Sequence, residues 1–377
     1  MPMLNPSQEL KIRILAAGLT ITNEARAWLS ESTQNKGLSS ADYASTSGII
    51  LRLSDDVWVN APIEDYNPNF VHESLATLDH TSNGLTIRWG KVEIPAEYCL
   101  PPAYHSSKQM AAFPPYLLFT HADRARLSPM NGCSMGCRFC NIPFEKPAPK
   151  YELFSPQLCI DALKIAVNDP IQPAQHIMIS GGTPKADDIS HHKIMYQEIL
   201  HAFPNIDIDI MMVPIPGLLD VAELKKAGVN EISVNLEVFN EKLGRQITPQ
   251  KFKYGRELYL DFIEMATQEL GAGKVRSMLL VGLEPLESTL EGVAAIAERG
   301  AIPVLSPFRP DPITPLKDTA PPSYELMRET YLRGQEIAIN HGVLLGPSCP
   351  PCTHNTLSFA EDANGAIKYR HTPPKML

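Results

Sequence analysis

No run of apolar residues in this chain reaches the ~18–20 that a membrane span needs. The stretch Ile210–Leu219, for one, is broken by Pro214, Pro216 and Gly217. The first residues lack a basic start followed by a long apolar region and a cleavage site, so the sequence predicts no secretory signal and a cytoplasmic protein. Basic charge is in deficit, with 33 Lys and Arg against 42 Asp and Glu and a net charge of −9. That balance argues against a nucleic-acid partner, because phosphate binding favours a basic surface. Low-complexity tracts and internal repeats are missing too. An apolar content of 44% with 20% charged residues is ordinary globular composition and excludes disorder as the main description. A length of 377 residues fits two domains, or one large barrel with an extension.

What the chain does have is an odd set of seven cysteines and 34 prolines. Cys133, Cys137 and Cys140 fall within eight residues, Cys349 and Cys352 form a second pair, and Cys99 and Cys159 stand alone. Without a secretion signal, such clustering points to metal or redox chemistry and not to a disulfide scaffold. The prolines gather in loops, which predicts rigid turns around a compact body.

Hydrophobic periodicity divides the chain in three. Residues 1–115 read as a small α+β domain of unknown role, with helices over Ser7–Ala17 and Asn23–Ser30. Its strands are expected over Ser47–Leu53, Val57–Ala61 and Gly84–Ile94, and it ends near the polar stretch Tyr104–Met110. Residues 116–345 alternate β and α. Strands are expected at Ala125–Met130, His176–Ser180, Asp207–Val213, Glu231–Val238, Val275–Leu283 and Ile302–Phe308, with Gly342–Leu345 as a seventh. Helices are expected at Ser155–Val167, Ile189–Ala202, Leu218–Ala227, Phe252–Leu270, Leu286–Arg299 and Ser323–Asn340. Six or seven βα units in series imply an α/β fold with a parallel (β/α) barrel, partial or complete, whose chemistry lies at the strand C-terminal ends. Residues 346–377 form an extension holding the Cys-Pro-Pro-Cys motif.

The strongest signal is Cys133-Ser-Met-Gly-Cys137-Arg-Phe-Cys140, a CxxxCxxC on the loop after the first barrel strand. Three thiolates this close can ligate three irons of a cubic cluster, leaving the fourth iron open, and an open position marks a catalytic centre. The rival is a zinc knuckle completed by His121 or His176, but CxxxCxxC is not a usual zinc spacing.

This spacing, with Phe139 before the third cysteine, resembles the signature of the radical SAM superfamily. Further motifs carry the resemblance across roughly residues 116–345. Ser180-Gly181-Gly182-Thr183 is similar to the GGE-type motif that receives the methionine amino group of S-adenosylmethionine, with Thr183 in place of the acid. Asn235 and Glu237 at the fourth strand end, and Arg256 on the next helix, resemble the pair holding the SAM zwitterion in the biotin-synthase-like branch, which includes hydrogenase maturase and methylornithine synthase relatives. Val281-Gly282-Leu283-Glu284 resembles the element lying against the adenine. The resemblance implies a radical SAM barrel, a 4Fe–4S cluster on Cys133, Cys137 and Cys140, and SAM as cofactor. A flavodoxin or ferredoxin electron donor is implied with them. It also implies a 5′-deoxyadenosyl radical that abstracts hydrogen from a substrate.

A small biosynthetic molecule is the expected substrate, with rearrangement, C–C cleavage and sulfur insertion left open. The alternatives are modification of a macromolecule docked by residues 1–115, or an iron–sulfur carrier or scaffold that never cleaves SAM. Other residues stay open at this point. Glu284 alternatively caps the helix after it. Arg309 reads as a clamp for a substrate carboxylate or phosphate, or as an ion-pair partner of Asp311 or Glu284. Cys349 and Cys352 have three readings: ligands of a second iron–sulfur cluster joined by Cys99, a redox thiol pair, or a rigid turn whose thiols line the active-site floor. Cys159, on an apolar helix face, reads as a buried structural thiol.

Overall fold

The computed structural model describes residues 4–33, 47–71, 74–107, 113–114, 116–360 and 369–377. The last part of the polar stretch at the expected domain boundary, residues 108–110, lies outside them. The N-terminal region begins with α1 (Pro6–Ala17), β1 (Thr20–Ile21) and α2 (Asn23–Ser32), followed by β2 (Ile49–Leu53) and β3 (Val57–Ala61). Three more strands follow, β4 (Ala76–Thr81), β5 (Gly84–Trp89) and β6 (Val92–Tyr98). They form a six-stranded sheet of order β1-β4-β5-β6-β2-β3, antiparallel except for β1 on β4. The stretch read as one strand over Gly84–Ile94 is thus two. Gly90, at φ 59°, turns the chain where a side chain would resist the left-handed backbone.

The barrel follows as β7 (Leu118–His121), β8 (Arg124–Leu127), β9 (Met130–Asn131), β10 (Glu152–Leu153), α3 (Pro156–Val167), β11 (His176–Ile179) and α4 (Ile189–Ala202). Next come β12 (Asp207–Met211), α5 (Val221–Ala227), β13 (Glu231–Ser233), α6 (Glu241–Ile247), α7 (Pro249–Lys253) and α8 (Arg256–Leu270). The series ends with β14 (Val275–Val281), α9 (Leu286–Ala297), β15 (Ile302–Pro307) and α10 (Tyr324–Asn340). One sheet runs β15-β14-β13-β12-β11-β8-β7, parallel from β15 to β8, with β7 antiparallel at its edge. The barrel is therefore partial and open.

The seventh strand is β7 and not the expected Gly342–Leu345, which forms no strand; the residue after it, Gly346, makes an isolated bridge to Val304. Pro347, Pro350 and Pro351 follow directly, and residues without an N–H cannot continue a ladder. The strand expected over Glu231–Val238 also stops early, at Ser233. Glu237 takes φ 66°, a conformation that no β-strand accommodates.

The C-terminal segment compensates for the open sheet. Gly346 N donates to Pro303 O at 2.9 Å and Leu357 N to Leu305 O at 2.7 Å, so the segment lies along β15. His354 in turn sits against His121 of β7, their rings 6.2 Å apart. The segment is held from the other side by Lys11 of α1. This lysine is wholly buried and donates to Thr353 O and Ser358 O, both at 2.8 Å.

The floor of the barrel, at the strand N-terminal ends, carries a buried ion-pair triad. Arg276 of β14 reaches Asp209 of β12 at 2.8 Å and Glu231 of β13 at 3.0 Å. Removing the cation would leave two buried carboxylates uncompensated, and breaking a buried pair this way costs about 3–5 kcal/mol. Arg276→Met is expected to lose about that much in urea denaturation, and a loss under 1 kcal/mol would show the triad to be well solvated.

Candidate active site at the open end of the barrel

Cys133, Cys137 and Cys140 all line a cavity of about 290 Å³ at the C-terminal ends of the barrel strands. Their loop follows β8 and β9, and the shape of the loop is set by its neighbours. Ser134 N donates to Thr183 O at 2.9 Å, while Thr183 N donates to the Cys133 sulfur at 3.2 Å and Met135 N to the same sulfur at 3.3 Å. Farther along, Gly136 N donates to Gln250 Oε1 at 3.1 Å and Arg138 N to Ile247 O at 2.9 Å. The cysteine loop is therefore tied to the Ser180–Thr183 loop on one side and to α6 and α7 on the other.

This packing needs Gly182. A Cβ there would stand 1.8 Å from Gly132 O, well inside contact distance. Gly132 itself turns at φ 75°. Thr183, where the resemblance would have an acid, acts through its backbone N–H and C=O.

The three thiols fit an iron–sulfur cluster in chemistry and position. Burial pushes Cys140 up to about 12 and Cys137 well above the usual thiol range. Three thiolates in a dry pocket need cations among them, and backbone N–H groups aimed at a sulfur are what such a ligand receives.

Glu237 lines the same cavity, and Lys251 faces it at 2.8 Å. Lys251 also donates to Asn235 O at 3.1 Å. Burial opposes the lysine's charge, but Glu237 outweighs it and the ammonium is held well above its usual range. The positive φ of Glu237 is fixed by pairing with β14. Its N–H donates to Met278 O at 2.7 Å and its C=O accepts from Leu280 N at 2.8 Å. Backbone strain of this kind is kept where the surroundings over-determine it. Asn235 Oδ1 accepts from Ser233 Oγ at 2.9 Å and from Met278 N at 3.2 Å.

The structure brings together most, but not all, of the residues singled out in the sequence. Phe139, Ser180, Gly181, Thr183, Asn235, Glu237 and Arg309 line the cavity. Arg256 is not among the lining residues. It lies over the Phe239 ring at 4.4 Å and donates to Phe239 O at 3.2 Å, so the cation beside Glu237 is Lys251. Nothing in the pattern flagged Lys251, which follows Pro249-Gln250 at a helix start and reads as surface.

Gly282 and Glu284 also sit outside the cavity wall. Glu284 is buried and accepts from Phe239 N, Asn240 N and the Thr289 hydroxyl, tying the loop after β13 to α9. Arg309 forms neither expected ion pair among the described residues. It reaches across to the N-terminal region instead, donating to Ser47 O at 2.8 Å, Asn60 O at 2.6 Å and Asn60 Oδ1 at 3.2 Å.

The C-terminal cysteines meet neither Cys99 nor the other trio. Cys99 is buried beside Trp58 and Ala122, with Gln172 Nε2 at 3.5 Å from its sulfur. Cys349 and Cys352 lie instead with Asp123 and His176, their ligand atoms all within 4.8 Å of one another. These four make a metal-ligand set at the opposite end of the barrel. His176, a candidate for completing a zinc knuckle on the first trio, belongs here. Cys159 is fully buried, as its helix face implies.

The site is thus an open (β/α) barrel with three clustered cysteines at its mouth. Residues 127–296 match the family model "Radical SAM superfamily". Bacteriochlorophyllide c C-7(1)-hydroxylase of Chlorobaculum limnaeum is 25% identical over 138 residues, 36% of this chain and 34% of that protein. The chain thus aligns with about a third of that curated relative. Among solved structures, a radical SAM methyltransferase from Sphaerobacter thermophilus matches at TM-score 0.45 and 17% identity, over 72% of this chain and 76% of that one. The FeFe-hydrogenase maturase HydG from Carboxydothermus hydrogenoformans matches at 0.44 and 15%, over 66% and 63%.

Gly182→Ala is expected to take up several-fold less iron on anaerobic reconstitution while keeping its far-UV circular dichroism. Full iron loading would show that the Gly182–Gly132 approach does not set the cysteine loop.

Proposed function

We propose that this chain binds a 4Fe–4S cluster on Cys133, Cys137 and Cys140, and SAM beside it. In this reading it abstracts hydrogen from a small biosynthetic molecule held in the barrel. The observation that carries this reading is the convergence of three cysteines and a buried Glu237–Lys251 pair on one cavity. Bound there, the cluster supplies the single electron that splits SAM into methionine and a 5′-deoxyadenosyl radical.

The residues of the chain do the rest. SAM presents a zwitterion, and a carboxylate beside an ammonium is a complementary receptor for it. Glu237 takes the amino group and Lys251 the carboxylate. The Ser180–Thr183 loop contributes backbone acceptors and stays in register with Cys133 through the Thr183 N–H. Met178, Met211, Met212, Met278 and Phe308 line the cavity. Apolar walls of this kind keep water from a reactive intermediate. Arg309, anchored to Ser47 and Asn60, keeps the N-terminal region packed on the barrel beside the cavity. The electron donor is a flavodoxin or ferredoxin.

Anaerobic reconstitution with SAM and dithionite tests the reading. 5′-Deoxyadenosine is expected in the wild-type chain and not in the Cys133→Ala variant. An intact cluster that yields none would overturn it. Glu237→Gln is expected to raise the SAM concentration needed for half-maximal cleavage at least about tenfold, equivalent to about 1.4 kcal/mol of lost binding. An unchanged SAM dependence would remove Glu237 from the receptor.

A further inference from the structure

The ligand set at the barrel floor has no part in that chemistry. We propose that Asp123, His176, Cys349 and Cys352 bind one zinc ion, which clasps the C-terminal segment to the floor of the open barrel.

Strand register assembles half of the site. His176 opens β11 and pairs directly with Arg124 of β8, so Asp123, one residue earlier in the β7–β8 turn, projects beside it. The other half comes from the Cys-Pro-Pro-Cys turn, whose second proline starts a short 3-10 turn over Pro351–Asn355. Two cysteines at this spacing can both reach one ion. His176 Nε2 lies 3.2 Å from the Cys352 sulfur. Zinc–sulfur and zinc–nitrogen bonds of about 2.3 and 2.0 Å put tetrahedral neighbours about 3.5 Å apart. A second observation points the same way: the buried Asp123 Oδ1 has no hydrogen-bond partner among the described residues.

The donor set selects the ion. All four ligand atoms lie within 4.8 Å of one another, which is one coordination sphere. A cubic iron–sulfur cluster places each cysteine on a different iron and needs its sulfurs spread wider, and a two-iron cluster needs its four ligands divided between two metal positions. Two thiolates exclude calcium and magnesium, which take oxygen. Two sulfurs, an imidazole and a carboxylate suit zinc, and four protein ligands leave no open position, the mark of a structural site. Charge also closes. Two thiolates and one carboxylate exceed the ion's charge by one, and the buried guanidinium of Arg124 supplies the balance. Its Nε has no hydrogen-bond partner among the described residues.

The consequence is mechanical. Cys352 lines both the main cavity and a second one behind it, so the clasped segment forms the partition between them.

The full-length chain, expressed with both zinc and iron and purified anaerobically without chelator, provides the test. Elemental analysis is expected to give about one zinc per chain in the wild type, retained in C133A/C137A/C140A and absent from C349A/C352A. Zinc-edge X-ray absorption of the wild type should show two sulfur and two nitrogen or oxygen neighbours, and it decides the matter even if C349A/C352A does not fold. Any of four results overturns the proposal: no zinc in the wild type, iron with sulfide in the C133A/C137A/C140A variant, a Cys349–Cys352 disulfide, or zinc that survives in C349A/C352A. Iron on the first trio is counted separately, so failure here leaves the proposed function standing, and the reverse.

Discussion

A parallel sheet that stops short of closure leaves two edges, β15 and β7, each with backbone groups that need partners or cover. Much of the rest of this molecule answers that constraint. The segment after α10 hydrogen-bonds along β15 and sets His354 against β7, filling the seam. It has little regular structure of its own, so it must be gripped from outside. Lys11 grips it from α1, and the Asp123–His176 pair faces its two cysteines from the barrel floor. The N-terminal sheet is part of the closure, because Arg309 of the cavity wall is anchored on its backbone.

Charge is arranged along the barrel with the same logic. At the mouth, three thiols and Glu237 are faced by a single buried lysine. At the floor, Asp209 and Glu231 are neutralised by Arg276, and the second cysteine pair sits beside Arg124. Between these ends Met178, Met211, Met212 and Met278 contribute polarizable side chains adaptable in shape to the wall. Arg126 of β8, level with Met178, is a buried charge that lies between the two ends.

The sequence made the local chemistry legible and the long-range chemistry not. CxxxCxxC is read within eight residues, and strand ends followed by glycine or acid are read within five. Helix ends are local for the same reason: Gly228 caps α5 in the left-handed conformation that glycine adopts without a Cβ penalty. Lys251 was missed because its burial depends on Glu237 adopting a backbone turn that no pattern encodes. Arg256 is the better zwitterion partner on residue type alone, but Phe239 captures it. Asp123 and His176 could not be joined to Cys349 in advance, since only the β8–β11 register brings them together. Arg309 reads in sequence as a substrate clamp or as an ion-pair partner of Asp311 or Glu284. Its direction depends on the position of the N-terminal sheet, and its own neighbours in sequence are silent on that.

The two ends of the chain are also paired with each other. Tyr98 and Leu377 exchange backbone hydrogen bonds at 2.9 Å each, and Lys11 waits on carbonyls more than three hundred residues away. The end of β6 and the buried Lys11 both take their partners from the far end of the sequence. Contacts of such separation are slow to form. The N-terminal region therefore completes its packing only when residues from beyond position 350 have docked on it.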